Sequence, residues 1–425
     1  MDHPAVASPP TAPIAARQPS AETWTRVVCL ARVFSFGAFM TVSATIPLLR
    51  TAFDASAAEV GTLASAFVIV YALSMFAFGW AGDFIGAKRA AIIGGAATAV
   101  MAGLFALFAR DYWSTLLLYP LIGLFQGGIY SPLVALFSEH AAPGRRGAAM
   151  GWLIGSTQVG YALSLAASGV GIALGGWQGA FLVTGLLPAV GAVILVLALR
   201  GVQNRVHPAA RSTNVLGDLV GNRSSVLLAV GYTAHSWELQ GSWAWVPGLL
   251  ATSIALSGVA ASNAAGQSAL LVAGMHMVGA VAAFSMGRLS DRLGRRFVLL
   301  SLALFGGVLS LAIGWLAASP PLVVGILATI YTFATIGDSP VLTTALSEAV
   351  PPARFGSIVA VRSLFGFGAG ALAPVAVGAA MDLAVHVGLP PAIEWGLGFT
   401  LLGIGGLIAA WTASQLPRRI TRPGE

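Results

Sequence analysis

Six ionisable side chains interrupt long apolar runs of this sequence: Arg32, His235, Glu238, His276, Asp338 and Arg362. In water they would be ordinary. In hydrocarbon each costs at least ~2.5 kcal/mol on insertion scales, so each is a functional candidate by default. Glu238, within His235-Ser-Trp237-Glu238-Leu-Gln240, suits a proton carrier, because a low-dielectric setting disfavours the charged form of a carboxyl; a fixed structural hydrogen bond is the plainer alternative. Asp338 stands in Gly337-Asp338-Ser339-Pro340, where Pro340 removes a backbone donor and strains a helix. A carboxylate beside a broken helix fits a coupling-ion site, a hinge or a cap. Arg32 keeps its proton and so needs an anion, either a bound solute or Glu238, unless it reaches the headgroups. Arg362 offers the same choice. His235 and His276 are proton-relay candidates and equally packing residues. Gln126 and Gln158 lie at similar depth and are expected to line a cavity, with Trp237, Trp243 and Trp245 as its walls.

These residues are carried by apolar runs long enough to cross a bilayer of roughly 30 Å. The expected spans are 26–49, 58–80, 88–109, 114–138, 147–172, 177–200, 224–251, 266–287, 296–318, 321–347, 355–382 and 394–416. The composition agrees: 57% of the 425 residues are hydrophobic and 9% charged, against about 25% charged in a soluble domain. The 52 glycines suit close helix packing in lipid. The single Cys29 excludes an internal disulfide framework or a multi-cysteine zinc site. The sequence has no H-E-x-x-H cluster and no phosphate-cradling P-loop, so neither enzymatic chemistry nor a cofactor is expected.

The net charge of +7 does not signal nucleic acid, because the basic residues are scattered among short loops. Eighteen of the 22 fall on the side that holds both chain ends; Arg50 and Arg110 fall on the other, and Arg32 and Arg362 fall within spans. That bias places both termini in the cytoplasm of a multi-pass inner-membrane protein. Trp24, Trp80, Trp113, Trp177, Trp315 and Trp411 stand near span ends, as headgroup anchors do. The expected organisation is a disordered tail (1–22), a six-helix half (23–200), a cytoplasmic linker (201–223), a second six-helix half (224–416) and a short tail (417–425).

The halves echo each other. Gly79, Asp83 and Gly86 stand 208 residues before Gly287, Asp291 and Gly294. Glu139, Arg145 and Gly147 stand 209 before Glu348, Arg354 and Gly356. Two loops sharing nearly one offset indicate a duplicated unit. The loop 287–296, Gly-Arg-Leu-Ser-Asp-Arg292-Leu-Gly-Arg295-Arg, resembles the G-x-x-x-D-R-x-G-R-R signature of the major facilitator superfamily, and the likeness extends over roughly 24–416. The first copy departs at Phe84 and Ala87.

The resemblance implies an all-α membrane fold of twelve helices in two pseudo-symmetric halves, and a secondary transporter of a small solute working by alternating access. It further implies that Asp83 faces the start of the eleventh helix and Asp291 that of the fifth, holding the outward-open state. Glu348 would pair with Arg292 or Arg295, and Glu139 with Arg145 or Lys88. Two interior arginines and two histidines lean toward an organic anion taken up with protons by a monomer. The fifth-helix Gly-Pro of drug antiporters is absent, since Tyr161 follows Gly160. Proton-driven efflux and a non-transporting solute sensor are the alternatives.

Overall fold

The computed structural model describes residues 21–140, 146–206, 215–350 and 352–418, and among them it contains helices and no strand. Among the described residues, nine helices are each long and apolar enough to cross a membrane. One of these, Arg146–Leu199, turns back on itself at Gly175 and Gly176 and makes two crossings. Two more crossings are less apolar or are interrupted. The first is broken between Ala21–Ser35 and Thr41–Ala52. The seventh, Arg223–Leu256, carries His235, Glu238 and Gln240. Twelve spans result, the others being Ala57–Ile85, Ala87–Phe108, Tyr112–Gln126 with Ser131–His140, Ala261–Leu293, Arg295–Ile313, Pro321–Gly337 with Ser339–Ala349, Pro352–His386 and Pro391–Gln415. Most overrun the expected apolar runs by several residues, because a helix continues past the hydrocarbon wherever its next turn finds water or a cap.

Each half packs around its own small-residue contacts, and the halves meet along two antiparallel helix pairs. Gly61 on the second span lies against the Pro374 carbonyl on the eleventh, where a Cβ would come within 2.5 Å of the oxygen. Gly169 on the fifth meets Gly266 on the eighth in the same way. Such contacts replace the hydrophobic drive that lipid removes. The antiparallel pairing brings the two chain ends to one face of the bundle, here termed the terminal face.

The duplicated loops have a shared physical basis. Gly86 and Gly294 end the second and eighth spans at φ of 87° and 90°, a region that other L-residues rarely enter. Each also closes the preceding turn through its backbone N–H, to Gly82 and Ser290 respectively. Part of the expected linker is fixed: Asn204 donates to the Ile85 carbonyl and accepts from Arg89 N–H, while Lys88 donates to the carbonyls of Arg200 and Val202. A short helix, Val215–Val220, precedes the seventh span. The expected tails lie almost wholly outside the described residues. Of the expected anchors, Trp24 is instead buried against Phe137, and Trp177 packs between Phe53 and Phe181; Trp80, Trp113, Trp315 and Trp411 are exposed.

Candidate functional site

Both interior arginines are buried, at 0% exposure for Arg32 and 3% for Arg362. Arg32 comes from the first span, just before its break. Its Nη2 donates to Thr157 Oγ1 at 2.6 Å and its Nη1 to the Ile129 carbonyl at 3.2 Å. The carbon of the guanidinium lies 5.2 Å from the ring centres of both Phe36 and Tyr130. The expected pairing of Arg32 with Glu238 is not formed; the hydroxyl, the carbonyl and the aromatic faces take its place. Arg362 lies on the eleventh span, 3.9 Å above the Tyr232 ring, and its hydrogen bond to Thr343 Oγ1 is long, at 3.5 Å. Among the described residues neither arginine has a carboxylate partner. Arg32 Nε and both Nε and Nη1 of Arg362 have no hydrogen-bond acceptor.

The acids are engaged elsewhere. Glu238 is turned into its own half, toward the ninth and twelfth spans. A Cβ on Gly406 would come within 2.6 Å of its Oε2, so only glycine leaves room for the carboxyl. Its Oε1 has no hydrogen-bond partner. Asp338 occupies the one-residue break between Pro321–Gly337 and Ser339–Ala349. His235 Nδ1 lies 3.0 Å from its Oδ1, in contact by distance but not aligned as a hydrogen bond. On its other side the His235 ring meets Ser339 Oγ at 2.9 Å, and the ring of Tyr232 is 5.9 Å away. His235 therefore stands between Asp338 and the tyrosine that covers Arg362.

The remaining candidates separate by position. His276 Nδ1 and Gln158 Oε1 meet at 3.1 Å across the two halves, with the Tyr161 and Trp243 rings alongside. Gln126 does not line the space between the halves; it is buried in its own half and donates to the Ser35 carbonyl at 2.8 Å. Trp237 and Trp245 likewise donate to carbonyls within their half, those of Leu401 and Pro374. Trp243 is the member of that trio that faces across, toward Tyr161. A small cavity between the halves is lined by Phe39, Phe67, Tyr119, Gln240, Trp243 and Pro374.

Sequence reasoning missed the tyrosines. Tyr130 lies 5.2 Å from Arg32 and Tyr232 3.9 Å from Arg362, while Tyr71 and Tyr161 both meet Phe36, the ring beside Arg32. With only seven tyrosines in the chain, four gathering here is a signal that composition alone held but did not place.

It also missed a seal on the face opposite the termini. Asp382, near the end of the eleventh span, accepts from the N–H groups of Ala57 and Ala58 at 2.7 and 2.8 Å, capping the second span with a carboxylate where the helix dipole favours one. Arg50 pairs with Glu394 at 3.1 Å, and Val375 N–H donates to Ser65. Among the described residues, the hydrogen bonds between halves lie on this side or at mid-depth. On the terminal face, Asp291 and Glu348 both hold Arg295, at 2.6 and 2.8 Å, within their own half. Glu348 is the first of the two in raising the Arg295 pKa, against a cost of burial. Among the described residues neither Asp291 nor Asp83 makes a contact with the other half, and residues 141–145, just before the fifth span, lie outside them. Arg292 is exposed. Arg145, and the side chains of Glu139 and Arg354, lie outside the described residues.

A twelve-span bundle of two repeated halves, with charged residues buried where they meet, is the architecture of a membrane carrier. The chain belongs to the Major Facilitator Superfamily, whose family model matches residues 28–374. Among curated proteins it is similar to the probable sulfoacetate transporter SauU of Cupriavidus necator (strain ATCC 17699), at 28% identity over 163 residues, which cover 37% of each chain. Among solved structures it resembles a bacterial homologue of the human lysosomal transporter Spinster in an inward-facing, unoccupied conformation, with a TM-score of 0.74 and 17% identity over 94% of this chain and 97% of that one. The nucleoside transporter NupG gives 0.72 and 12% over 92% and 98%. The protein is a transporter and not an enzyme.

Proposed function

We propose that this protein takes up a small organic anion together with protons, by alternating access, as a monomer of the inner membrane. The observation that carries this reading is the pair of buried guanidiniums, Arg32 and Arg362, neither of which has a carboxylate partner among the described residues. A buried unpaired cation costs several kcal/mol, and a bound anion offsets that cost. The likeness to SauU, whose name specifies an organic anion, points the same way. The basic residues of the terminal face favour a cytoplasmic orientation for it, and on that reading the Asp382 and Arg50 seal closes the outer side. Glu238, His235 and Asp338 supply proton-accepting groups that make no contact with Arg362 among the described residues, which suits coupling without competition for one site.

Thermal unfolding of the purified full chain in detergent tests the reading. Small carboxylates and sulfonates, sulfoacetate included, are compared with neutral solutes and hydrophobic cations. At a hundredfold excess over Kd a true ligand adds about 2.7 kcal/mol of stability. Stabilisation by acids is the expected outcome; stabilisation by hydrophobic cations alone would reassign the protein to efflux.

A further inference from the structure

We infer that the small cavity between the halves is a solute subsite for an uncharged acceptor oxygen, and that the carried anion is therefore a hydroxy- or oxo-acid gripped there by the side-chain N–H groups of Gln240 and Trp243. This rests on the anion reading above and deepens it. Both residues line the cavity, together with Phe39, Ser43, Phe67 and Tyr119. They stand three residues apart on the seventh span, a spacing that puts two side chains on one helix face. Gln240 Nε2 and Trp243 Nε1 are buried and have no acceptor among the described residues. A buried donor left unpaired is costly, so most find a partner. Comparable side chains here do. Trp237 and Trp245 donate to the carbonyls of Leu401 and Pro374, Gln126 to that of Ser35, and Tyr119 to that of Phe39. Two unpaired donors on the lining of one cavity point to a ligand that accepts from them.

Both donors are held in place by their neighbours. A Cβ on Gly370 would come within 2.7 Å of Gln240 Cγ, so a glycine of the eleventh span leaves the glutamine its seat. The Trp243 ring meets Tyr161 and His276, at 5.0 and 5.8 Å between ring centres. The centre of a water-sized sphere can range over about 20 Å³ of the cavity, where one water needs roughly 10–15 Å³. The space suits one oxygen-bearing group and not a whole solute. None of the described residues that line it is acidic or basic. An ionised group there would lack a countercharge, whereas a hydroxyl or keto oxygen needs only the two N–H groups. The Ser43 hydroxyl can add a third bond. A cation for the solute's acid group stands one ring away: Phe36 lies 5.8 Å from Phe39 and 5.2 Å from the Arg32 guanidinium.

The test measures binding to the full wild-type chain in detergent by thermal unfolding, and counterflow in proteoliposomes, at pH 7.5. The probes are propionate with lactate and pyruvate, butyrate with 3-hydroxybutyrate, and ethanesulfonate with 2-hydroxyethanesulfonate. Each set keeps the charge and the carbon chain and adds one oxygen. At least one oxygenated acid should bind about tenfold or more tightly than its parent, because a site built to hydrogen-bond an oxygen rejects the analogue that lacks it. Trp243→Phe keeps a ring and removes the N–H, and Gln240→Leu removes the amide; each should erase most of that preference. Parent acids binding as tightly as every oxygenated one would overturn the inference and leave the anion reading standing. So would a preference unchanged in both variants, or equal losses for parent and oxygenated acid in both, which would mark donors that hold a structural water only. Failure of every carboxylate and sulfonate to bind would overturn both.

Discussion

Glu238 illustrates what a single residue's position can and cannot convey in a sequence. Its depth in the membrane follows from the apolar residues on either side. Its direction does not, because direction is set by Gly306 and Gly406, two of 52 glycines with nothing local to distinguish them. Enclosed by the ninth and twelfth spans and lacking a partner on Oε1, it remains suited to holding a proton. Glu238→Gln is expected to abolish accumulation driven by a pH gradient while solute exchange at equal pH continues; gradient-driven uptake equal to wild type would remove the role. The two arginines were legible as buried cations for the same reason as Glu238. Their surroundings were not, since Phe36, Tyr130 and Tyr232 read in sequence as ordinary aromatic residues of a membrane helix and acquire meaning only when four separate spans converge.

At the scale of elements, the legible features were those written in local chemistry. Apolar length gave the spans, and the paired glycines of the duplicated loops gave the two turns at positive φ, Gly86 and Gly294. The break at Asp338 followed from Pro340 in the same way. The seal opposite the termini was hidden because it joins residues more than 300 positions apart, and Asp382 resembles any loop carboxylate until the second span's first N–H groups are placed beside it. Gly378 shares that contact: a Cβ there would lie 2.3 Å from the Ala57 carbonyl. Gly378→Leu should therefore act against the closed arrangement by about 1–3 kcal/mol, displacing the population roughly 5–150-fold. A cysteine placed at the Ala57 end of the second span would become more reactive to a water-soluble thiol reagent. Labelling identical to that of the parent cysteine variant would show that the second and eleventh spans do not gate this face.

For the whole molecule, the two faces are held by different means. Opposite the termini, carboxylates and small residues join the halves directly. On the terminal face, Asp291 and Glu348 are paired within their own half, around Arg295. If Asp83 and Asp291 engage the other half only once that face closes, Asp83→Asn and Asp291→Asn should increase cysteine accessibility there. The bias is small, because an exposed ion pair is worth about 0–1 kcal/mol; unchanged labelling in both variants would limit these residues to shaping the loop. The reversal at Gly175 and Gly176 adds a mechanical constraint. Gly171 and Gly179 touch across it, so the fifth and sixth spans form a bent lever with no slack at the elbow. One arm bears on the eighth span through Gly169 and Gln158, and the other on the third through Gly185 and Ala102. A load on the eighth span at His276 is thus received by the arm that carries Gly169 and Gln158, and the third span stands on the far side of the same elbow.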